Sequence, residues 1–138
     1  MAEEKKAAAP VKTVQKKKKK AIRQVSQGHV YIKTSFNNTI ITMADPDGNV
    51  IAWASAGNAG FKGPKKATPY AASVVVKNII EKVEPYGIKE VFVFTKGVGQ
   101  GRESAIRSLN ANGINVLSIK DMTPMPHNGC RAPRPRRV

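Results

Sequence analysis

The sequence predicts an α/β domain built on a mixed five-stranded sheet with helices, in the order β-β-β-α-β-α-β, with basic extensions at both ends. Three observations predict it. Short runs that alternate β-branched and polar residues crowd the first part of the chain, apolar stripes of helical period separate the later strand-like runs, and both termini lack the apolar residues to fold. With 138 residues the chain has room for one domain, and removing the extensions leaves about 100 residues for its core.

Residues 1–24 are read as a basic arm, disordered in isolation, because they consist mainly of Ala, Lys and Glu with Pro10. Ordered structure is expected from 25 to 120. His29-Val30-Tyr31-Ile32-Lys33-Thr34 alternates as a strand does, and Thr39 to Ala44 repeats the pattern after Phe36-Asn37-Asn38, so the two form a hairpin. Asp45-Pro46-Asp47-Gly48 supplies turn chemistry before a third strand, Asn49 to Ala54. Residues 55–67 read as a loop shaped by Gly57, Gly60 and Gly63.

Thr68 is then an N-cap candidate with Pro69 at the first helical position. Ala71, Ala72, Val75, Val76, Ile79, Ile80 and Val83 form the core-facing stripe of that helix, and Pro85-Tyr86-Gly87 ends it. Val91-Phe92-Val93-Phe94 reads as a buried strand by its continuous apolar character. A second helix is expected from about Glu103 through Ile106 and Leu109 to a stop at Asn112-Gly113, followed by a last strand from Ile114 to Ile119. Helices between the later strands imply right-handed parallel crossovers, hence a sheet that is antiparallel on one side and parallel on the other. Tyr31, Trp53, Phe92 and Phe94 are assigned to the core. Residues 121–138 are read as an extended basic tail.

The charge says more about partners than about fold. The net charge is +15, with nine basic and two acidic residues in 1–23, eleven and six in 24–120, and four and one in 121–138. Two thirds of the excess therefore sits in the arms, which points to a polyanionic partner. Fully extended, the arms reach at most about 75 Å and 60 Å, enough to thread into a large RNA. The single cysteine, Cys130, excludes an intramolecular disulfide, and His127-x-x-Cys130 offers only two metal ligands. No apolar run is long enough for a membrane span.

Catalysis finds no support in the residue pattern. Asp45, Asp47, Glu81, Glu84, Glu90 and Glu103 each have an ordinary place in a turn, on a solvated helix face or at a helix start, and two histidines do not build a triad. No enzyme activity, cofactor or metal is expected. The strand, glycine loop and helix at 91–111 could hold an anion, with Lys96 and Arg102 adding charge. Three readings stay open there: a bare structural turn, a nucleotide site and contact with an RNA backbone. Phe36 and Phe61 lie in loops, where a ring either stacks on an unpaired base or anchors the loop. Asn128-Gly129 is a candidate deamidation site, because glycine leaves its own nitrogen unhindered for attack on the Asn amide.

Several strings taken in order carry a family resemblance. They are Ser35-Phe36-Asn37-Asn38-Thr39, Trp53-Ala54-Ser55-Ala56-Gly57, Gly60-Phe61-Lys62-Gly63, Lys66-Ala67-Thr68-Pro69, Gly101-Arg102-Glu103-Ser104 and Thr123-Pro124-Met125-Pro126-His127-Asn128-Gly129-Cys130-Arg131. From about Val25 to Val138 the chain resembles the family of small-subunit ribosomal protein eleven, bacterial type. That resemblance implies a ribonuclease-H-like fold without nuclease activity, lodged in the platform of the small subunit and bridging several 16S rRNA helices. It also implies a place beside the cleft for the messenger's ribosome-binding sequence, with small-subunit proteins seven and eighteen and the third translation initiation factor as neighbours. A cytoplasmic location, no membrane and no homo-oligomer are expected. Where the family alternates prolines with glycines before Gly101-Arg102, this chain has Val98 and Gln100.

The RNA-binding residues expected from pattern and resemblance together are Lys16, Lys17, Lys18, Lys19, Lys20 and Arg23 in the arm. In the domain they are Asn37, Asn38, Phe61, Lys62, Lys65, Lys66, Lys96 and Arg102, and in the tail His127, Asn128, Arg131, Arg134, Arg136 and Arg137.

Overall fold

The computed structural model describes residues 24–134, so Lys16 to Lys20, Arg23, Arg136 and Arg137 lie outside the described residues. Its elements are β1 (Gln27–Ser35), β2 (Asn38–Ala44), β3 (Val50–Ser55), a 3-10 turn at Gly63–Ala67, α1 (Pro69–Val83), a second 3-10 turn at Glu84–Tyr86, β4 (Glu90–Lys96), α2 (Gly101–Ala111) and β5 (Asn115–Asp121). The expected mixed five-stranded sheet and two helices are present. Strands lie in the order β3-β2-β1-β4-β5, antiparallel from β3 to β1 and parallel from β1 to β5.

Local chemistry explains the boundaries. The Thr68 hydroxyl accepts from the Ala71 N–H at 3.3 Å, with Pro69 next to it, so α1 starts on a capped end. Gly87, at φ 72°, turns the chain after the 3-10 turn that follows α1, and Gly113, at φ 86°, does the same after α2. The second helix begins at Gly101, two residues before the expected Glu103. Residues 55–67 are not all loop, since Pro64 helps fold the lysine-bearing segment into its 3-10 turn.

Both helices cover one face of the sheet. α1 packs on β2 and β3, α2 packs on β1 and β5, and the two helices pack on each other. Ile32, Ile41, Met43, Val91 and Val93 from the strands meet Val75, Val76, Ile79 and Leu109 from the helices in one buried cluster. Small residues allow the helices to approach. A Cβ on Gly101 would fall 2.7 Å from Thr39 Oγ1 and 3.5 Å from Ala72 Cβ, and Ser108 donates to Ser73 Oγ at 2.8 Å across the crossing.

One-sided cover corrects the assignment of the aromatics. Alternate side chains of each strand face away from the helices, and there Tyr31 is 40% and Trp53 55% exposed, while Phe92 and Phe94 are half-buried. None joins the core. The β4 run looked uniformly buried because its outward residues are also apolar, although burial alternates along it.

Candidate nucleic-acid interface

Strand direction gathers the functional segments at one end. β1, β3, β4 and β5 all run the same way, so their C-terminal ends share one edge of the domain. From that edge leave the β1–β2 hairpin tip, the glycine and lysine segment at 56–67, the loop at 97–100 and the C-terminal tail. Because α1 and α2 each begin shortly after a strand that ends at this edge, β3 and β4, their N-termini lie at the same end and add two positive helix dipoles. Lys33, Lys62, Lys65, Lys66, Lys96 and Arg102 sit there with Glu103 and Asp121, whereas Asp45, Asp47, Glu84 and Glu90 fall at or near the opposite end with Lys89, so cations are in excess at one end and carboxylates at the other.

The hairpin tip, the 3-10 turn and the glycine loop enclose a hollow of about 450 Å³ lined by Phe36, Pro64, Ala67, Thr68, Gly99 and Gln100. Phe36 is 78% exposed at its edge. Close backbone packing holds the loop against the hairpin: a Cβ on Gly97 would lie 2.0 Å from the Thr34 carbonyl oxygen, and one on Gly99 3.0 Å from that of Ser35. Gly97 also adopts φ 95°, which a side chain disfavours. Asn37 is exposed, while half-buried Asn38 accepts the Thr39 N–H through Oδ1 at 3.0 Å and keeps its amide donors for other partners.

Lys62, Lys65 and Lys96 are exposed and Lys66 is half-buried, so these four offer charge to solvent. Phe61 is half-buried, packed on the core and edge-on to Tyr70 at 6.0 Å, which makes it a loop anchor in the free chain. Arg102 is occupied within the chain. Its guanidinium pairs with the Asp121 carboxylate and donates to the Gly97 carbonyl at 3.0 Å and to Thr95 Oγ1 at 3.5 Å.

Asp121 completes a knot at the root of the tail. Its Oδ1 accepts from the Thr123 N–H at 2.9 Å and the Thr123 hydroxyl at 2.6 Å, and the Gly97 N–H donates to Thr123 Oγ1 at 3.1 Å. The Thr123 hydrogen bonds, with the Arg102 guanidinium adding to them, lower the Asp121 carboxyl to about 2. Met122 continues the β5 ladder by donating to the Thr95 carbonyl at 2.8 Å. Beyond it His127, Asn128, Arg131 and Arg134 are exposed, and Asn128 takes the left-handed conformation at φ 56°.

The structure thus brings the expected Lys62, Lys65, Lys66 and Lys96 to one end with the root of the tail, and adds Lys33 and the Arg102–Asp121 pair, neither of which was expected from the sequence. Lys33 was legible in principle, two residues after Tyr31 and therefore on the same strand face. The pair was not, because it joins residues 19 apart in the sequence, one on α2 and one at the end of β5. Among the described residues no group of three or more His, Cys, Asp or Glu could hold a metal ion, and no helix is long and apolar enough to cross a membrane.

A two-layer α/β domain that gathers Lys33, Lys62, Lys65, Lys66 and Lys96, two helix N-termini and the root of its tail at one end has the features of a nucleic-acid-binding scaffold. Residues 28–137 match the family model described as Ribosomal protein S11, and the chain belongs to that family. Its members are small-subunit ribosomal proteins that bind rRNA, work in translation as part of a ribonucleoprotein, and are generally not enzymes.

Proposed function

We propose that the chain acts as a structural constituent of the platform of the small subunit, binding 16S rRNA and bridging several of its helices beside the cleft for the messenger's ribosome-binding sequence. The convergence of hairpin tip, lysine turn, glycine loop and tail root at one end carries this reading. It gives a single cationic end to a polymer too large for any pocket. In this reading Lys62, Lys65, Lys66 and Lys96 meet phosphates, Asn37 and Asn38 hydrogen-bond to backbone or base edges, and Phe36 presents a ring to an unpaired base. Arg102 acts by holding the glycine loop and tail in place.

The sheet order with helical crossovers supports a ribonuclease-H-like fold used here for its shape. The arm at 1–24, the domain at 25–120 and the tail at 121–138 divide the labour. The arms neutralise phosphates that a globular surface does not reach, with His127, Asn128 and Arg131 on a fixed path and Arg134, Arg136 and Arg137 giving general neutralisation. Small-subunit proteins seven and eighteen and the third initiation factor are its proposed neighbours in the cytoplasmic ribosome.

Sedimentation of tagged protein in a lysate tests the reading. The protein should travel with small subunits; migration with chromosomal DNA or as free protein would sink it. Deleting residues 133–138 should weaken incorporation, whereas deletion from Pro124 should nearly abolish it. Asn128, exposed and followed by Gly129, should also accumulate isoaspartate in aged free protein, and peptide maps containing only unmodified Asn128 would refute that.

A further inference from the structure

The sheet face turned away from the helices carries a row of aromatic rings that the cationic end does not account for. Register places Trp53, Thr42, Tyr31, Phe94 and Lys120 in one row across all five strands. The next row towards the cationic end holds Ser55, Ile40, Lys33 and Lys96. Together the two rows carry three lysines and no carboxylate. Tyr31 and Phe94 stack on each other at 5.2 Å and 17°, and His29 meets both rings edge-on. Between the rows lies a hollow of about 320 Å³, walled by Tyr31, Phe94, Ile40 and Met122 and rimmed by Lys33 and Lys96.

We infer that this face is a second RNA-binding surface that takes an unpaired strand of rRNA. One nucleotide sits in the hollow with its base against the Tyr31–Phe94 stack and its phosphate on Lys33 and Lys96. Its neighbours run along the row towards Trp53 and Lys120. Charge selects the occupant: aromatic walls with cations at the rim suit a planar base attached to an anion, and a second copy of this chain would bring like charge against like. The same reasoning disfavours the chain's own lysine-rich arm. Continuity supports it further, since Lys33 and Lys96 belong both to this rim and to the cationic end, so a strand leaving that end passes directly onto the face. The inference rests on the rRNA-binding reading and assigns it a site that recognises unpaired bases as well as phosphate.

Trp53 is the only tryptophan of the chain and lies on this face, so its emission reports occupancy. Full-length protein titrated with a short unstructured RNA oligonucleotide should lose Trp53 emission as the RNA binds, with binding followed in parallel by the anisotropy of labelled RNA. Tyr31→Ala should move the quenching midpoint about tenfold to higher RNA, and Tyr31→Phe, which keeps the ring, should leave it unchanged. If Tyr31→Ala lowers the melting temperature sharply, Lys33→Ala with Lys120→Ala at exposed positions replaces it and should also shift the midpoint. RNA that binds by anisotropy while Trp53 emission and its midpoint are unmoved by these substitutions would overturn the sheet-face site and leave the cationic end standing. Absence of RNA binding altogether would bring down both. In assembled subunits, ultraviolet crosslinks should add a nucleotide to Tyr31 or Phe94; lysine-reactive crosslinks from Lys33 and Lys120 to another protein, with no such adduct, would assign the face to a protein and refute the proposal.

Discussion

At the scale of single residues the tightest constraints lie where the glycine loop meets the hairpin. Gly97 has no room for a side chain and a φ that opposes one, so Gly97→Ala should destabilise the domain by about 2 kcal/mol or more, seen as a melting temperature lowered by about 10 °C. Gly48, also at positive φ but with open space around it, should tolerate alanine better in the same assay. Asp121 supplies a pH signature. Its carboxyl is lowered from 3.8 to about 2 by the folded contacts, so its stabilising contribution is complete above about pH 4 and is lost as pH falls towards 2. Amide exchange at Gly97 and Thr123, whose N–H groups bond within the knot, should accelerate across that window relative to the rest of the sheet. In Asp121→Asn the acid-dependent part of that change should disappear.

At the scale of elements the helices obey rules that act locally, and this is why sequence found them. Thr68 and Pro69 start α1, and the stripe from Ala71 to Val83 is its buried face. Thr68→Ala should cost about 1 kcal/mol by denaturant unfolding, because the Ala71 N–H loses its acceptor. The strands were legible for the same reason, the first three from alternation and turn residues and β4 from its continuous apolar run. The fate of the aromatics was not. Val91 to Phe94 is apolar throughout, and whether Phe92 and Phe94 lie in a core depends on which face the helices choose, a matter of crossover handedness across the whole sheet. The candidate interface divides in the same way. Lys62, Lys65, Lys66 and Lys96 announced themselves by charge among glycines, but the partnership of Arg102 with Asp121 exists only after β5 has been laid beside β4.

At the scale of the whole molecule the separation of charge is the property to test. Lys65→Glu combined with Lys66→Glu should weaken rRNA binding by the full chain about tenfold or more and flatten its salt dependence. Lys89→Glu, near the start of β4 at the far end, should have little effect in the same titration. Equal losses would mean that net charge alone matters. The common direction of four strands has one more consequence, which concerns arrival and not the bound state. With helix dipoles and an excess of cations at one pole and an excess of carboxylates at the other, the folded domain carries a net electric moment, and the field of a polyphosphate turns it before contact. The moment rotates the domain so that its loops lead. Salt should therefore slow association far more than it hastens release, and a domain with its far-end carboxylates neutralised should collide as often with RNA but dock less often per collision.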